Sequence, residues 1–230
     1  MARILLVPGF MQRGDAWAPL LERLPDARPL DHRTHDFEGR LAEIAEAGEG
    51  ALLCGYSLGG RLALRAALRD GPRYRGVITI GASPGIEEPA VRSARAEADD
   101  RLAGWMETMP IEEIVAVWER QPLFADQGDA LVEAQREGRL GHGPRELALL
   151  LRTAGQGALD PVWIELETLV PPLLAVAGVR DEAYAAAAER MAATAPRGRF
   201  ALVEHAGHAA HLQRPDEVAG LIAAFGEELA

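Results

Sequence analysis

The sequence predicts an α/β protein with a mostly parallel sheet of about six strands, helices on both faces and a helical cap insertion. Two observations carry this prediction. Short, continuously apolar runs alternate with longer amphipathic segments, which is typical of a parallel sheet covered by helices. The alternation stops between residues 86 and 169, where only helical patterns occur. The sheet is therefore expected to form from two separate parts of the chain.

Each element follows from a local pattern. The runs that predict strands are residues 3–7, 27–30, 51–54, 76–80, 173–177 and 200–203. The amphipathic segments that predict helices between them are residues 17–24, 38–47, 58–69, 182–193 and 215–228.

The insertion reads as five helices broken by proline and glycine. They are residues 90–108, 111–120, 128–137, 145–153 and 161–169. We expect residues 86–169 to form a helical cap over the strand ends of a core made from residues 1–85 and 170–230.

Length and charge limit the class of protein. A chain of 230 residues corresponds to about 1.5 domains of ordinary size, which means one large domain or one domain with an insertion. The net charge of −11 argues against a nucleic-acid partner, because phosphate binding needs a basic surface. All 24 basic residues are arginine, so lysine chemistry is excluded and a cationic anchor for a substrate must be Arg or His.

Cysteine usage and hydropathy set further limits. Cys54 is the single cysteine, so no intramolecular disulfide can form. The apolar runs are too short for a signal peptide or a membrane span, which predicts a cytoplasmic protein without a membrane partner. A monomer or a small homo-oligomer is expected.

Residues 55–59, Gly-Tyr-Ser-Leu-Gly, match the G-x-S-x-G pattern of a nucleophile elbow, with an apolar strand before it and an amphipathic helix after it. We expect Ser57 to occupy a strained turn with its Oγ above the sheet. The N–H groups of Leu58 and Phe10 are the candidates for an oxyanion hole. A glycine-rich turn with an incidental serine is the alternative interpretation.

Chain order predicts the partners of Ser57, because an acid follows the serine in this motif and a histidine comes last. Asp181, in the loop after the predicted strand 173–177, is the candidate acid that holds the tautomer of the base. Helix capping by Asp181 is its structural alternative, and Asp160 is the competing acid. His208, which follows a glycine before the last helix, is the candidate base.

The other histidines form weaker patterns. His205 is expected at a strand edge, and His211 either supports the site or is merely exposed. Three histidines within residues 205–211 have a spacing that suits a metal only on a helix, and this stretch reads as loop. His32 and His35, beside two aspartates, are interpreted as part of a solvated loop. No metal and no cofactor are expected.

These motifs resemble the α/β-hydrolase superfamily over essentially the whole chain. Within it, the sequence resembles the 2-succinyl-6-hydroxy-2,4-cyclohexadiene-1-carboxylate synthases, pyruvate-eliminating enzymes of menaquinone biosynthesis. The stretches that carry this second resemblance are residues 55–61, 82–86 with the arginine-bearing helix after them, 118–124 and 206–211.

The resemblance implies a lyase reaction, in which the activated Ser57 removes a ring proton as a base and pyruvate leaves. It also implies a small substrate with several carboxylates, which planar bidentate guanidinium groups bind well. The side chains implied at the substrate are Arg61, Arg95, Tyr56 and Trp118, with Arg139 as a third arginine whose register against Arg136 and Arg145 stays open.

Two other functions remain open at this stage. A serine esterase or carbon–carbon hydrolase acting on a small carboxylated substrate would use the same residues but form an acyl-enzyme. A non-catalytic receptor on the same fold is the third possibility, since fold does not determine function. The intact set of Ser57, Asp181 and His208 argues against the receptor.

Overall fold

The computed structural model describes residues 3–229 and contains one six-stranded, wholly parallel sheet with the strand order β2-β1-β3-β4-β5-β6. All six predicted strands are present, with ends that differ by at most two residues from the predictions. The strands are β1 (Ile4–Val7), β2 (Ala27–Pro29), β3 (Leu52–Tyr56), β4 (Gly76–Ile80), β5 (Leu173–Gly178) and β6 (Gly198–Val203).

The strand order places the ends of β1 and β3 side by side. The next two strands along the chain both pair with β1, β2 on one side of it and β3 on the other. Val7, the last residue of β1, lies opposite Gly55 near the end of β3. Chain segments that leave the sheet in opposite directions open a crevice at such a point, and ligands bind there in open α/β sheets.

Ten α-helices are found within the described residues. They are α1 (Ala18–Leu21), α2 (Phe37–Ala47), α3 (Leu58–Arg69), α4 (Pro89–Met106), α5 (Ile111–Trp118), α6 (Asp129–Leu140), α7 (Pro144–Ala154), α8 (Glu182–Thr194), α9 (Ala210–Gln213) and α10 (Pro215–Glu228).

The sheet is covered on both faces. Leu5 and Val7 of β1 join a buried cluster with α2, α3 and α8. Ile4 and Leu6, which point the other way, join a second cluster with α1, α9 and α10. Strands buried on both faces have continuous apolar runs, which is why the strand pattern was readable in the sequence.

Four helices, α4 to α7, connect β4 to β5 without a strand, and every residue of this stretch is described. They have a small core of their own, in which Ile114, Leu147 and Met106 pack against Met11 from the loop after β1. The insertion is therefore joined to the sheet layer through the loop at the end of β1.

Two helix predictions were wrong. Residues 161–169 contain only a short 3-10 turn, Glu165–Thr168. The N–H of Val162 and the indole N–H of Trp163 donate to carbonyls of Pro84 and Gly85 in the loop after β4, so long-range hydrogen bonds replace the helical ones. Residues 17–24 contain only the last residue of a 3-10 turn, Gly14–Trp17, and the four-residue helix α1. The predicted helix is therefore much shorter in the structure.

No helix within residues 3–229 combines the length and apolar character that crossing a bilayer requires.

Candidate active site

Ser57 lies at the turn between β3 and α3, with φ of 50°. This left-handed conformation is costly for a residue with a side chain and needs tight packing around it. The packing comes from small neighbours: a Cβ at Gly55 would lie 2.2 Å from the carbonyl oxygen of Gly59, and one at Gly59 would lie 2.1 Å from that of Val7. The turn can close only with glycine at both positions, and it projects the serine hydroxyl above the sheet.

The structure brings the three predicted side chains together. The Nε2 atom of His208 lies 3.0 Å from Oγ of Ser57, and its Nδ1 atom lies 2.7 Å from Oδ2 of Asp181. Asp181 precedes α8, but its side chain makes no capping hydrogen bond. Asp160, the competing acid, pairs with Arg92 and has a side chain that is 91% exposed.

Aromatic rings enclose His208, whose side chain is almost fully buried. The rings of Tyr184 and Tyr56 lie 4.6 and 5.3 Å from the imidazole, measured between centroids. Gly81 has φ of 57°, and a Cβ there would lie 2.8 Å from the carbonyl oxygen of His208. Glycine is therefore required for β4 to end this close to the histidine.

Leu58, the first residue of α3, and Phe10, in the loop after β1, have backbone N–H groups near Ser57 that meet no protein acceptor within residues 3–229. Free N–H groups at a helix start favour negative charge, because the helix dipole is positive there. Gly9 lets this loop approach the site, since a Cβ there would lie 2.7 Å from the Tyr56 ring.

A cavity of about 350 Å³ opens in front of Ser57, between the sheet and the insertion. Every residue that the resemblance placed at the substrate lines it. Those residues are Tyr56, Arg61, Arg95, Trp118 and Arg139, and the oxyanion candidates Phe10 and Leu58 line it as well. The burial of Tyr56 in this wall raises the pKa of its hydroxyl above the ordinary range, so the phenol stays protonated.

The three arginines of the cavity differ in their partners. Arg95 pairs with Asp99 at 2.7 Å, and Arg139 pairs with Glu119 at 3.0 Å. Arg61 makes no ion pair within the described chain and donates to the carbonyl of Ala154 at 3.1 Å. The pKa of Arg61 is lowered to about 10, mainly because the guanidinium is buried. The Arg61 guanidinium is therefore a buried cation without an ion pair among residues 3–229, and Asp99, an acid that also lines the cavity, pairs with Arg95.

The register of α6 decides which arginine faces the cavity. Arg139 is 3% exposed and lines it. Arg136 also contacts Glu119, but it lies in a surface groove on the far side of that carboxylate. Arg145, at the start of α7, is exposed and does not line the cavity.

Several polar residues at the cavity did not stand out in the sequence. Gln12 and Gln135 lie in its wall, and Tyr184 packs on the imidazole of His208 while accepting a hydrogen bond from Gln156. Asp126 accepts a hydrogen bond from Gln213, near the loop that carries His208. Tyr184 follows Asp181 by three residues and Gln12 follows Phe10 by two, so nearness to a motif was the only available signal.

The structure excludes one of the two interpretations of His211 and corrects that of His32. His211 is not exposed: it is completely buried between Trp17 and Tyr56, its two ring nitrogens have no partner within the described residues, and burial lowers its pKa to about 3. His32 is not solvated either, because its side chain is 2% exposed and its Nδ1 lies 2.7 Å from Glu43.

Among the described residues, the other histidines and acids form no group that could hold a metal ion. His205 is exposed, with φ of 57°. Residues 3–229 contain no group of three or more His, Cys, Asp or Glu side chains arranged to hold a metal ion.

Comparisons with known proteins agree with this architecture. A 2-succinyl-6-hydroxy-2,4-cyclohexadiene-1-carboxylate synthase of Klebsiella pneumoniae is 33% identical over 171 residues, which cover 74% of this chain and 66% of that protein. A Bacillus subtilis protein provisionally given the same name is 27% identical, over 96% of this chain and 89% of that protein.

Solved structures and a family model extend this likeness. The structure of MenH from S. aureus superposes with a TM-score of 0.91 and 27% identity, covering 98% of this chain and 93% of that one. A thermophilic esterase from Thermogutta terrifontis shares the fold, with a TM-score of 0.80 and 20% identity. The model of the alpha/beta hydrolase family matches residues 4–221. With its parallel sheet, its serine turn and this match over nearly the whole length, the chain belongs to the alpha/beta hydrolase family.

Proposed function

We propose that the protein is a carbon–oxygen lyase that eliminates pyruvate from 2-succinyl-5-enolpyruvyl-6-hydroxy-3-cyclohexene-1-carboxylate. The observation that carries this proposal is Arg61, a buried guanidinium that makes no ion pair within the described residues and lines the cavity in front of Ser57. Because this guanidinium lines the cavity, a bound carboxylate would serve as its counter-ion. Relatives that carry the synthase name support the same choice.

The cavity suits a small molecule with several carboxylates. The proposed substrate carries one on the ring, one on the succinyl group and one on the enolpyruvyl group. Arg61, Arg95 and Arg139 offer three guanidinium groups, and the aromatic faces of Tyr56 and Trp118 line the remaining wall. Bidentate guanidinium contacts would orient the ring with the proton to be removed near Ser57.

In the proposed mechanism Ser57 acts as a base. His208 Nε2 accepts the hydroxyl proton as Oγ removes the proton from ring carbon 2, which the adjacent succinyl ketone makes acidic. The electrons of that C–H bond shift into the ring, and the bond between carbon 5 and the enolpyruvyl oxygen breaks. The imidazolium then returns its proton to the leaving enolate, which becomes pyruvate.

The surrounding groups stabilise the charge that develops in this step. Negative charge appears on the succinyl ketone oxygen, where the N–H groups of Phe10 and Leu58 would donate to it. Asp181 accepts a hydrogen bond from Nδ1 of His208, which leaves Nε2 free as the base and stabilises the imidazolium. The elimination is redox-neutral, so we propose that it needs no cofactor. We also propose a cytoplasmic location, as the sequence suggests.

One observation favours a serine hydrolase as the second candidate. Ser57 and the two free N–H groups also have the arrangement in which a serine attacks a carbonyl and forms an acyl-enzyme. The substrate would again be small and carboxylated, because the same guanidinium groups line the cavity.

Parallel assays with two substrates test the proposal. The purified protein is given the enolpyruvyl substrate, with pyruvate followed by a coupled lactate dehydrogenase assay, and in parallel a p-nitrophenyl ester. Pyruvate release without ester cleavage is expected. Ester cleavage without pyruvate would support the hydrolase instead, and a Ser57→Ala variant with full activity on either substrate would exclude the role of Ser57 in both.

A further inference from the structure

Buried side-chain amides join the oxyanion loop, residues 8–12, to the insertion. Gln12 accepts a hydrogen bond through Oε1 from the N–H of Gly9 at 3.1 Å, and its Nε2 donates to Oε1 of Gln135 on α6 at 3.4 Å. The same Gln135 oxygen accepts from Arg139 at 3.0 Å. Gln12 and Gln135 are both at least nine-tenths buried, and the low local dielectric strengthens these contacts.

The direction of every hydrogen bond in this bridge is determined by its two ends. The N–H of Gly9 and the guanidinium of Arg139 can only donate. Gln12 must therefore present its oxygen to Gly9 and its nitrogen to Gln135, and Gln135 must present its oxygen to both donors. The Gln135 nitrogen then donates to Gln127 and to the Leu131 carbonyl, so all four of its hydrogen-bonding positions are used.

The loop that Gln12 holds is strained. Met11 has φ of 56°, although it carries a long side chain, and the N–H of Gln12 closes a turn onto the Gly9 carbonyl at 3.3 Å. Phe10, the candidate oxyanion donor, lies between Gly9 and Gln12, which are joined by two hydrogen bonds. The direction of the Phe10 N–H therefore depends on contacts that Gln12 makes.

We propose that Gln12 and Gln135 are positioning residues that couple the carboxylate-binding Arg139 to the oxyanion-binding N–H of Phe10. A substrate that engages Arg139 then also stabilises the loop conformation in which Phe10 donates. Gln12 and Gln135 act through Phe10 and Arg139, and no proton transfer is assigned to them. The kinetic part of the proposal rests on the proposed lyase function, whereas its structural part does not.

Methionine substitutions test the bridge because they keep the length of the side chain and remove both polar atoms. In Gln12→Met and Gln135→Met, kcat for pyruvate release is expected to fall about tenfold to hundredfold, as for a misplaced oxyanion donor. The double variant should be no slower than the slower single variant, because the two residues act as one unit. Effects that multiply would overturn the proposal.

Gln127→Met is the matched control. Gln127 is as buried as Gln135 and accepts a hydrogen bond from its nitrogen, but it does not line the cavity and makes no hydrogen bond to Gln12 or Arg139 within the described residues, so kcat should remain within about threefold of the wild type. A merely structural role of these buried amides predicts similar losses in Gln127→Met and Gln135→Met. Thermal unfolding of each variant identifies loss of folding. Because Gln135 does not belong to the loop, Gln135→Met still tests the proposal if Gln12→Met does not fold.

Amide NMR separates this proposal from the lyase function. The Phe10 N–H resonance should move in the same direction in Gln12→Met and Gln135→Met and stay in place in Gln127→Met. If wild-type protein releases no pyruvate, the lyase function fails while these shifts still test the bridge. An unmoved Phe10 resonance in Gln135→Met would overturn the bridge even in an active lyase.

Discussion

Replacement of Arg61 by methionine should raise both the stability of the empty protein and the KM for substrate. Arg61 is 8% exposed, has no ion pair in the described chain and donates one hydrogen bond, to Ala154. Burial lowers its pKa from the ordinary 12.5 to about 10, which corresponds to about 3 kcal/mol of unfavourable free energy for the charged form. The lost hydrogen bond offsets about 1 kcal/mol of the gain.

The net gain of about 2 kcal/mol predicts a melting temperature higher by about 4–8 °C for a chain of this size. Because the pKa of Arg61 is lower in the folded protein than in the unfolded chain, its charge destabilises the fold fully at every pH below about 10. The predicted gain in stability should therefore not change between pH 5 and 8. The lost charge-assisted contact to a substrate carboxylate is worth about 1.5–3 kcal/mol, which raises KM about 10- to 100-fold. Calorimetry without ligand and steady-state kinetics measure the two effects.

Arg65→Met is the matched control. Arg65 lies one turn further along α3, is equally buried and has a pKa that burial also lowers to about 10. Its guanidinium donates to the carbonyls of Pro84 and Asp160, and Arg65 does not line the cavity. KM should therefore be unchanged in Arg65→Met. An Arg61→Met protein that melts at a lower temperature and keeps the wild-type KM would refute the reasoning.

Three further predictions concern the base, the insertion and a buried histidine. Ser57→Ala should lower pyruvate release at least about 10³-fold, as loss of a positioned proton acceptor does, while circular dichroism shows an intact fold. Gln213 donates to Asp126 and accepts from the Gly207 N–H, so Gln213→Leu should lower kcat about tenfold and speed amide exchange around residue 207; unchanged exchange would argue against this link. The pKa of His211 is lowered to about 3, so the unfolded chain binds its proton first and stability falls as the pH drops below about 6.5, by up to about 1.4 kcal/mol per pH unit. His211→Phe should make that acid limb of a denaturation profile shallower than in wild type, and identical profiles would contradict the buried, neutral state.

The strands and the serine turn were predictable because they depend on local sequence. A strand buried on both faces must be apolar at every position, and a turn as tight as that at Ser57 must have glycine where backbone atoms approach within van der Waals contact. The order of Ser57, Asp181 and His208 along the chain followed from the motif, and the distances between them agree with that order. Residues 161–169 were mispredicted because their hydrogen bonds go to a loop some 80 residues earlier.

The sequence by itself therefore determined the sheet, the position of the serine turn and an all-arginine set of cations. Only the tertiary structure decided how those cations differ. Arg95 and Arg139 pair with the buried carboxylates of Asp99 and Glu119, while Arg61 makes no ion pair within the described residues. A single hydrogen bond joins Gln12 to Gln135, which lie 123 positions apart in the chain. The physical reason is that the energy of a charge or an amide depends on its burial and its partners, and distant segments of the chain supply both.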